Sequence, residues 1–267
     1  VEKIGLLAGI GKLPVEIACA ARKMGFSIVA VGLVEGVDAR LAQVSDTFAQ
    51  IQVGDLERIF AFLKENQVEK VTMIGKVTKE LMFNGKVILD ARMQKLLSSL
   101  PDNSDDTLML AFVRELAAEG MTAFDQTALI RFLMPAPGVL TKREPTQAEK
   151  DDMQFGFKMA KAIGGLDIGQ TVVVKDLAVM AVEAIEGTDE CIKRGGQLGR
   201  GKVTVAKVAK PKQDNRFDVP AVGLDTLKSM CEAKAVALVI EAGKTLVVDR
   251  EKVIQFADEN GITILAM

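Results

Sequence analysis

Lys3-Ile4-Gly5-Leu6-Leu7-Ala8, running on through Gly9-Ile10-Gly11-Lys12 to Leu13-Pro14, decides how this chain folds. The first six residues are short and almost wholly apolar, as a strand buried on both faces is. Gly9-x-Gly11 is a tight turn. Leu13-Pro14 then opens a helix expected to reach about Met24, with Pro14 in the first turn, where its missing N–H costs nothing. A glycine turn between a strand and a helix start offers backbone N–H groups to a phosphate or a uridine ribose. An ordinary βα turn accounts for the same residues. The dinucleotide-binding fingerprint needs a third glycine where Pro14 stands, and no Walker Gly-Lys-Ser/Thr follows at the required spacing.

The same alternation continues outward. Strands are expected at Ser27–Leu33, Phe48–Val53 and Val68–Ile74, with a helix after Asp55, a good cap, running to about Asn66. Alternating strands and helices predict a parallel, doubly wound α/β sheet. Gly75-Lys76 falls at the carboxyl end of the last of these strands, the edge where open α/β sheets bind ligands, although a plain loop lysine fits there too. Leu89–Leu100 and Thr107–Glu119 read as helices, with Asn103-Ser104-Asp105-Asp106 capping the second. Asp105-Asp106 could also bind a metal or a sugar hydroxyl. The cluster Met134-Pro-Ala-Pro-Gly138, with Lys142-Arg-Glu-Pro145 behind it, marks a junction. The expected organisation is a Rossmann-like nucleotide-binding domain over 1–132, a linker at 133–146, and a mixed α/β domain over 147–267.

That second part opens on a helix from Gln147 to Ile163, stopped by Gly164-Gly165. Two apolar strands, Gln170–Val174 and Leu177–Ile185, are expected to pair. Between Glu183 and Asp189 three carboxylates, Glu183, Glu186 and Asp189, stand beside Gly187 at a strand end and a helix start. Such oxygen clusters hold hard cations or phosphate edges, and they are also what a capped helix with solvated acids looks like. Lys207 to Pro220 is the densest polar stretch. Lys207, Lys210 and Arg216 can neutralise a diphosphate, and an acid among them, Asp218, has its ionised form favoured. A mixed-charge exposed loop is the bland reading of the same run. The remaining strands are expected at Val203–Val208, Ala235–Glu241, Thr245–Val248 and Ile262–Ala266.

Composition removes whole classes of chemistry. The chain has 267 residues, 49% hydrophobic and 26% charged, enough for packed cores. A net charge of −2 gives no basic field for nucleic acid. No apolar run reaches the ~18–20 residues of a spanning helix. The chain opens directly on a strand-like run, so a cytosolic protein without a signal peptide is expected. Cys19, Cys191 and Cys231 form no CxxC and read as small buried residues. Histidine, tyrosine and tryptophan are absent. Imidazole bases, Ser-His-Asp triads and histidine-ligated zinc or iron are therefore excluded. Any metal must take mostly oxygen ligands, which favours Mg²⁺, Mn²⁺ or Ca²⁺.

Five separated segments resemble one family in order. They are Gly5–Pro14, Ile163–Gln170, Ala181–Asp189, Lys210–Gln213 with Arg216–Pro220 and Gly223, and Leu246–Arg250. The family is the LpxI-type UDP-2,3-diacylglucosamine pyrophosphatases of lipid A synthesis. The resemblance implies a Rossmann-like N-terminal domain joined to a family-specific C-terminal domain. It implies cleavage of the diphosphate of UDP-2,3-diacylglucosamine to UMP and 2,3-diacylglucosamine 1-phosphate (lipid X). It also implies Mg²⁺ or Mn²⁺, a homodimer, and peripheral association with the cytosolic face of the inner membrane. The family's essential aspartate maps onto Asp218, as catalytic residue and metal ligand, with Asp189 as a second candidate ligand. Gly11, Lys12, Gly75 and Lys76 would hold the uridine or diphosphate. Lys207, Lys210, Gln213 and Arg216 would bind phosphate oxygens, and Gln170, Glu186, Gly187, Thr188 and Asp189 would complete the pocket. A non-catalytic UDP-lipid carrier and an NAD(P)-dependent oxidoreductase are the competing readings, and Pro14 argues against the second.

Overall fold

The computed structural model describes residues 1–77, 87–102, 105–214, 216 and 219–267. They fall into two compact units. One is Val1–Ile130. The other takes Arg131–Asp214 and 219–267, while Arg216 is counted with the first unit.

In the first unit, β1 (Lys3–Ala8), β2 (Ser27–Gly32), β3 (Thr47–Gln50), β4 (Lys70–Ile74) and β5 (Thr122–Ala123) form a parallel sheet in the order β3-β2-β1-β4-β5. This is the expected Rossmann-like half. Its central strands read as unbroken apolar runs because helices cover both faces. α1 (Leu13–Lys23) carries Pro14 in its first turn. Asp55 caps α3 (Leu56–Glu65) by accepting from the amide of Arg58; this helix follows the short α2 (Arg40–Val44) and β3. Asp90 caps α4 (Ala91–Ser98) by accepting from Met93 and also holds the Glu57 amide, tying two helix starts together. α5 (Asp105–Ala118) follows, and the Arg92 guanidinium lies 4.4 Å from the centre of the Phe60 ring while bonding Glu115 and Glu119. The stretch from Met121 to Phe132, which has no readable period, forms β5, α6 (Thr127–Ile130) and most of a 3₁₀ turn, Arg131–Leu133.

The second unit has a six-stranded mixed sheet. Its strands are β6 (Gly138–Val139), β7 (Thr171–Lys175), β8 (Ala178–Val182), β9 (Thr204–Lys207), β11 (Ala237–Ile240) and β13 (Thr263–Ala266), ordered β6-β13-β11-β9-β7-β8. β9, β11 and β13 run parallel. β6 runs against β13, and β7 of the β7–β8 hairpin runs against β9. β10 (Ala221–Val222) and β12 (Leu246–Val247) form a separate short pair, and the helix after β10 begins at Leu224.

α7 (Gln147–Gly165) starts with a reciprocal capping box between Thr146 and Glu149. It packs on one sheet face with Val172 and Val174. On the other face Val173 joins the core under α8 (Thr188–Gly199), α9 (Leu224–Glu232) and α10 (Arg250–Glu259). The two-residue period of β7 thus feeds two cores. The β7–β8 turn places Asp176 and Leu177 at positive φ, and the buried Asp152 carboxylate of α7 accepts from both of their amides. No helix among the described residues is long and apolar enough to cross a membrane.

Candidate functional site

In the first unit the strand order reverses between β1 and β4, and the crevice outside the carboxyl ends at such a reversal is where α/β sheets bind ligands. Both glycine loops singled out in the sequence lie there. Gly9 donates to the carbonyl of Ile74. Ile10 and Lys76 exchange two backbone hydrogen bonds, Ile10 N to Lys76 O at 2.9 Å and Lys76 N to Ile10 O at 2.8 Å. The loops touch backbone to backbone: a Cβ on Gly9 would stand 2.7 Å from the Gly75 carbonyl carbon and the Lys76 oxygen. Gly75 has φ +96° and Gly11 φ +122°, both in the left-handed region. The structure therefore brings Gly11, Lys12, Gly75 and Lys76 to one edge. The amides of Ile10 and Lys76 are committed to each other, so neither serves a phosphate.

In the second unit the carboxyl ends of β9 and β11 form another polar edge. Lys207 ends β9 and is 7% exposed. Its Nζ donates to Thr188 Oγ1 at 3.1 Å and to the Ala221 carbonyl at 2.9 Å. Thr188 Oγ1 donates to Glu183 Oε1 at 2.8 Å and lies 3.4 Å from Thr171 Oγ1. Glu183, itself 8% exposed, also accepts from the Gln170 amide at 3.3 Å. Three elements make this cluster. β7 begins at Thr171 directly opposite Lys207, β8 delivers Glu183, and α8 begins at Thr188. Gly187 turns the chain into α8 at φ +82°.

Next to it, Glu241 follows β11 and is buried. It accepts from Lys161 Nζ, from Lys244 Nζ and from the Ala209 amide. Burial pushes the Glu241 carboxyl up, but the bonds from Lys161 and Lys244 together outweigh it and hold the group below the usual carboxylate range. Lys210 and Gln213 clasp the loop between them through Lys210 N to Gln213 Oε1 at 2.6 Å and Gln213 N to Lys210 O at 3.1 Å. Lys210 Nζ reaches Asp167 at 2.6 Å.

Along this edge Gln170 Oε1, Gln213 Nε2 and Thr245 Oγ1 are buried and have no hydrogen-bond partner among the described residues. A buried polar atom left unpaired costs about 1–3 kcal/mol, so such atoms mark where water or ligand belongs.

The other expected residues separate by role. Glu186 is engaged locally: it accepts from the Ala184 amide and pairs with Arg194, whose hydrogen bond holds its carboxyl below the ordinary range. Asp189 lies in the first turn of α8. Arg216 lies on the loop after β9, while Asp218, the expected catalytic aspartate and metal ligand, falls outside the described residues. Among the described residues no three cysteine, aspartate or glutamate side chains gather as a cation site. Asp189, in the first turn of α8, is one carboxylate there. Cys191 is buried, which pushes its thiol up to about 12 and leaves it inert.

Residue-type reasoning overlooked Thr171, Lys161 and Glu241. Thr171 and Glu241 sit at the ends of apolar strands and Lys161 on α7, and only the tertiary structure reveals what each faces.

Residues 3–133 match the family described as LpxI N-terminal domain, and residues 136–265 match that described as LpxI C-terminal domain. A protein of Caulobacter vibrioides named UDP-2,3-diacylglucosamine pyrophosphatase LpxI is 33% identical over 277 aligned residues, covering 100% of this chain and 98% of that protein. Among solved structures, a Stenotrophomonas maltophila UDP-glucose-4-epimerase aligns at 17% identity and TM-score 0.31, over 45% of this chain and 35% of its own. A Mycobacterium tuberculosis glycinamide-RNase-transformylase T aligns at 16% and 0.27, over 52% and 38%. Likeness at those scores has no bearing on function. The two domain matches and the full-length relative do: this chain belongs to the LpxI family.

Proposed function

We propose that the protein hydrolyses the diphosphate of UDP-2,3-diacylglucosamine, releasing UMP and 2,3-diacylglucosamine 1-phosphate. The full-length identity to the Caulobacter protein of that name carries this reading. The polar edge of the second unit supports it chemically. A diphosphate needs charge neutralisation and an aligned nucleophile more than it needs covalent catalysis. Lys207 is a cation held in a buried setting by Thr188 and Ala221, where its field on a phosphate is little screened.

Water attacks the phosphorus on the sugar side. The new O–P bond forms as the bridging P–O bond breaks, and UMP leaves with the bridging oxygen. Lys207, Lys210 and Arg216 bind phosphate oxygens; Gln170, Gln213 and Thr188 orient them. Gly11, Lys12, Gly75 and Lys76 are the residues nominated for the uridine or the diphosphate. Without histidine, the proton of the attacking water goes to a carboxylate, and Asp218 is the proposed acceptor or orienter. Mg²⁺ or Mn²⁺ is proposed as an added cofactor, with Asp218 and Asp189 as the nominated ligands. Homodimerisation and peripheral attachment to the inner membrane belong to the same proposal.

The test is UMP release from UDP-2,3-diacylglucosamine with Mg²⁺, with and without EDTA, beside Asp218→Ala. Release that EDTA and the variant both abolish supports enzyme, metal and residue together. Substrate binding without UMP release would make the protein a carrier instead.

A further inference from the structure

Three large aliphatic side chains project outward on neighbouring loops of the second unit. Leu166 is 72% exposed, Ile168 48% and Ile185 fully exposed at 103%. They lie on two loops of the second unit, the one between α7 and β7 and the one between β8 and α8. These loops form one surface. A Cβ on Gly169 would run into the carbonyl oxygen of Glu183, and the Gln170 amide bonds the Glu183 carboxylate. A third segment joins them: a Cβ on Gly164 would stand 3.3 Å from Lys210 Cα and 3.4 Å from Pro211 Cδ. Pro211 and Lys212 are exposed there.

The acids on the two loops are already neutralised. Asp167 pairs with Lys210, Glu186 pairs with Arg194, and Glu183 is buried in the Lys207 cluster. What remains outward is aliphatic, with Lys212 at its border. Projecting aliphatics beside a cation, with the carboxylates of the two loops paired off and Asp189 exposed at the start of α8, suit the interface of a bilayer with anionic headgroups.

We propose that this surface docks the protein on a membrane bearing anionic headgroups, with Leu166, Ile168 and Ile185 entering the interface and Lys212 meeting the headgroups. The inference rests on the proposed function, because a diacylated substrate resides in such a bilayer. It also names the face that presents the Lys207 edge to that substrate.

The full chain is sedimented with vesicles of phosphatidylcholine containing roughly 30% phosphatidylglycerol, and with pure phosphatidylcholine, in the absence of substrate. The triple variant Leu166→Ser, Ile168→Ser, Ile185→Ser should bind both vesicle types at least about tenfold more weakly. Lys212→Gln should lose about fivefold on the anionic vesicles only. UMP release from detergent-dispersed substrate should be unchanged in both. Equal binding by wild type and triple variant overturns the proposal, as does absence of wild-type binding. A fall in the variant's oligomeric mass at unchanged vesicle binding would make the surface a contact between copies. Loss of turnover on dispersed substrate at unchanged vesicle binding would make it an acyl-chain site. Because binding is read without substrate, failure of the hydrolase reading shows separately, as missing UMP.

Discussion

The two polar edges of this molecule sit at equivalent places, the carboxyl ends of parallel strands, yet they are built from different materials. In the first unit the edge is backbone: Gly9 against Gly75, and Ile10 bridged to Lys76. In the second it is side chain: Lys207, Thr188 and Glu183, with Lys161 and Glu241 beside them. A backbone edge is defined by shape and tolerates no added atom. A side-chain edge is defined by charge and tolerates no lost partner. The two should therefore fail differently when altered.

The largest effect is expected from Asp218→Ala, with UMP release falling by about a thousandfold, while thermal unfolding stays near that of the unaltered chain. A modest fall would move the chemistry off that residue. Gly9→Val comes next. Its Cβ meets main-chain atoms of Gly75 and Lys76 that have nowhere to move, and the cost should be about 2–4 kcal/mol. Calorimetry and protease resistance of the first unit report it, and a melting temperature within a degree or so of wild type would show that the loops can part.

Lys207→Met separates the edges more finely. It removes the cation while keeping much of the stem, so kcat/KM should drop by about 10–100-fold. Thr188 would lose a partner at the same time. Unchanged turnover would make this cluster purely structural. Thr188→Val should cost about 1–2 kcal/mol, because Glu183 and Lys207 each lose the hydroxyl between them.

The smallest effect is the pH dependence carried by Glu241. Its folded-state value lies below the ordinary 4.5, so the ionised carboxylate favours the fold. That contribution is complete above the ordinary value and fades as the pH falls through the lower folded one. A Glu241→Gln chain should show a flatter acid limb in urea midpoints measured downward from about pH 5; an identical limb would assign acid sensitivity to other groups.

Much of the fold is legible in the residues. β1, β2 and β4 appear as apolar runs because both faces of a parallel sheet are covered. Asp55 and Pro14 mark helix starts because capping is a local hydrogen-bond problem and a proline has no N–H to satisfy. Short strands are harder. β10 and β12 have two residues each and look, in sequence, like the approach to a helix and part of a longer strand, since two residues carry no period. The candidate site is partly legible. Residue type and segment are enough to single out Lys207 and Thr188. Their hydrogen bond joins residues 19 apart and depends on β7 and β9 pairing antiparallel.

Sequence by itself determined the alternation of strands and helices, the exclusion of imidazole chemistry and the order of family segments. Each is written in local pattern or in composition. Tertiary structure decided which loops meet. The parallel pairing of β1 with β4 sets Gly9 against Gly75, and the register of β7 on β9 sets Thr171 opposite Lys207. The reason is physical: periodicity tells a segment which face to bury, but only the closing of long loops around a shared core selects the segment on the other side.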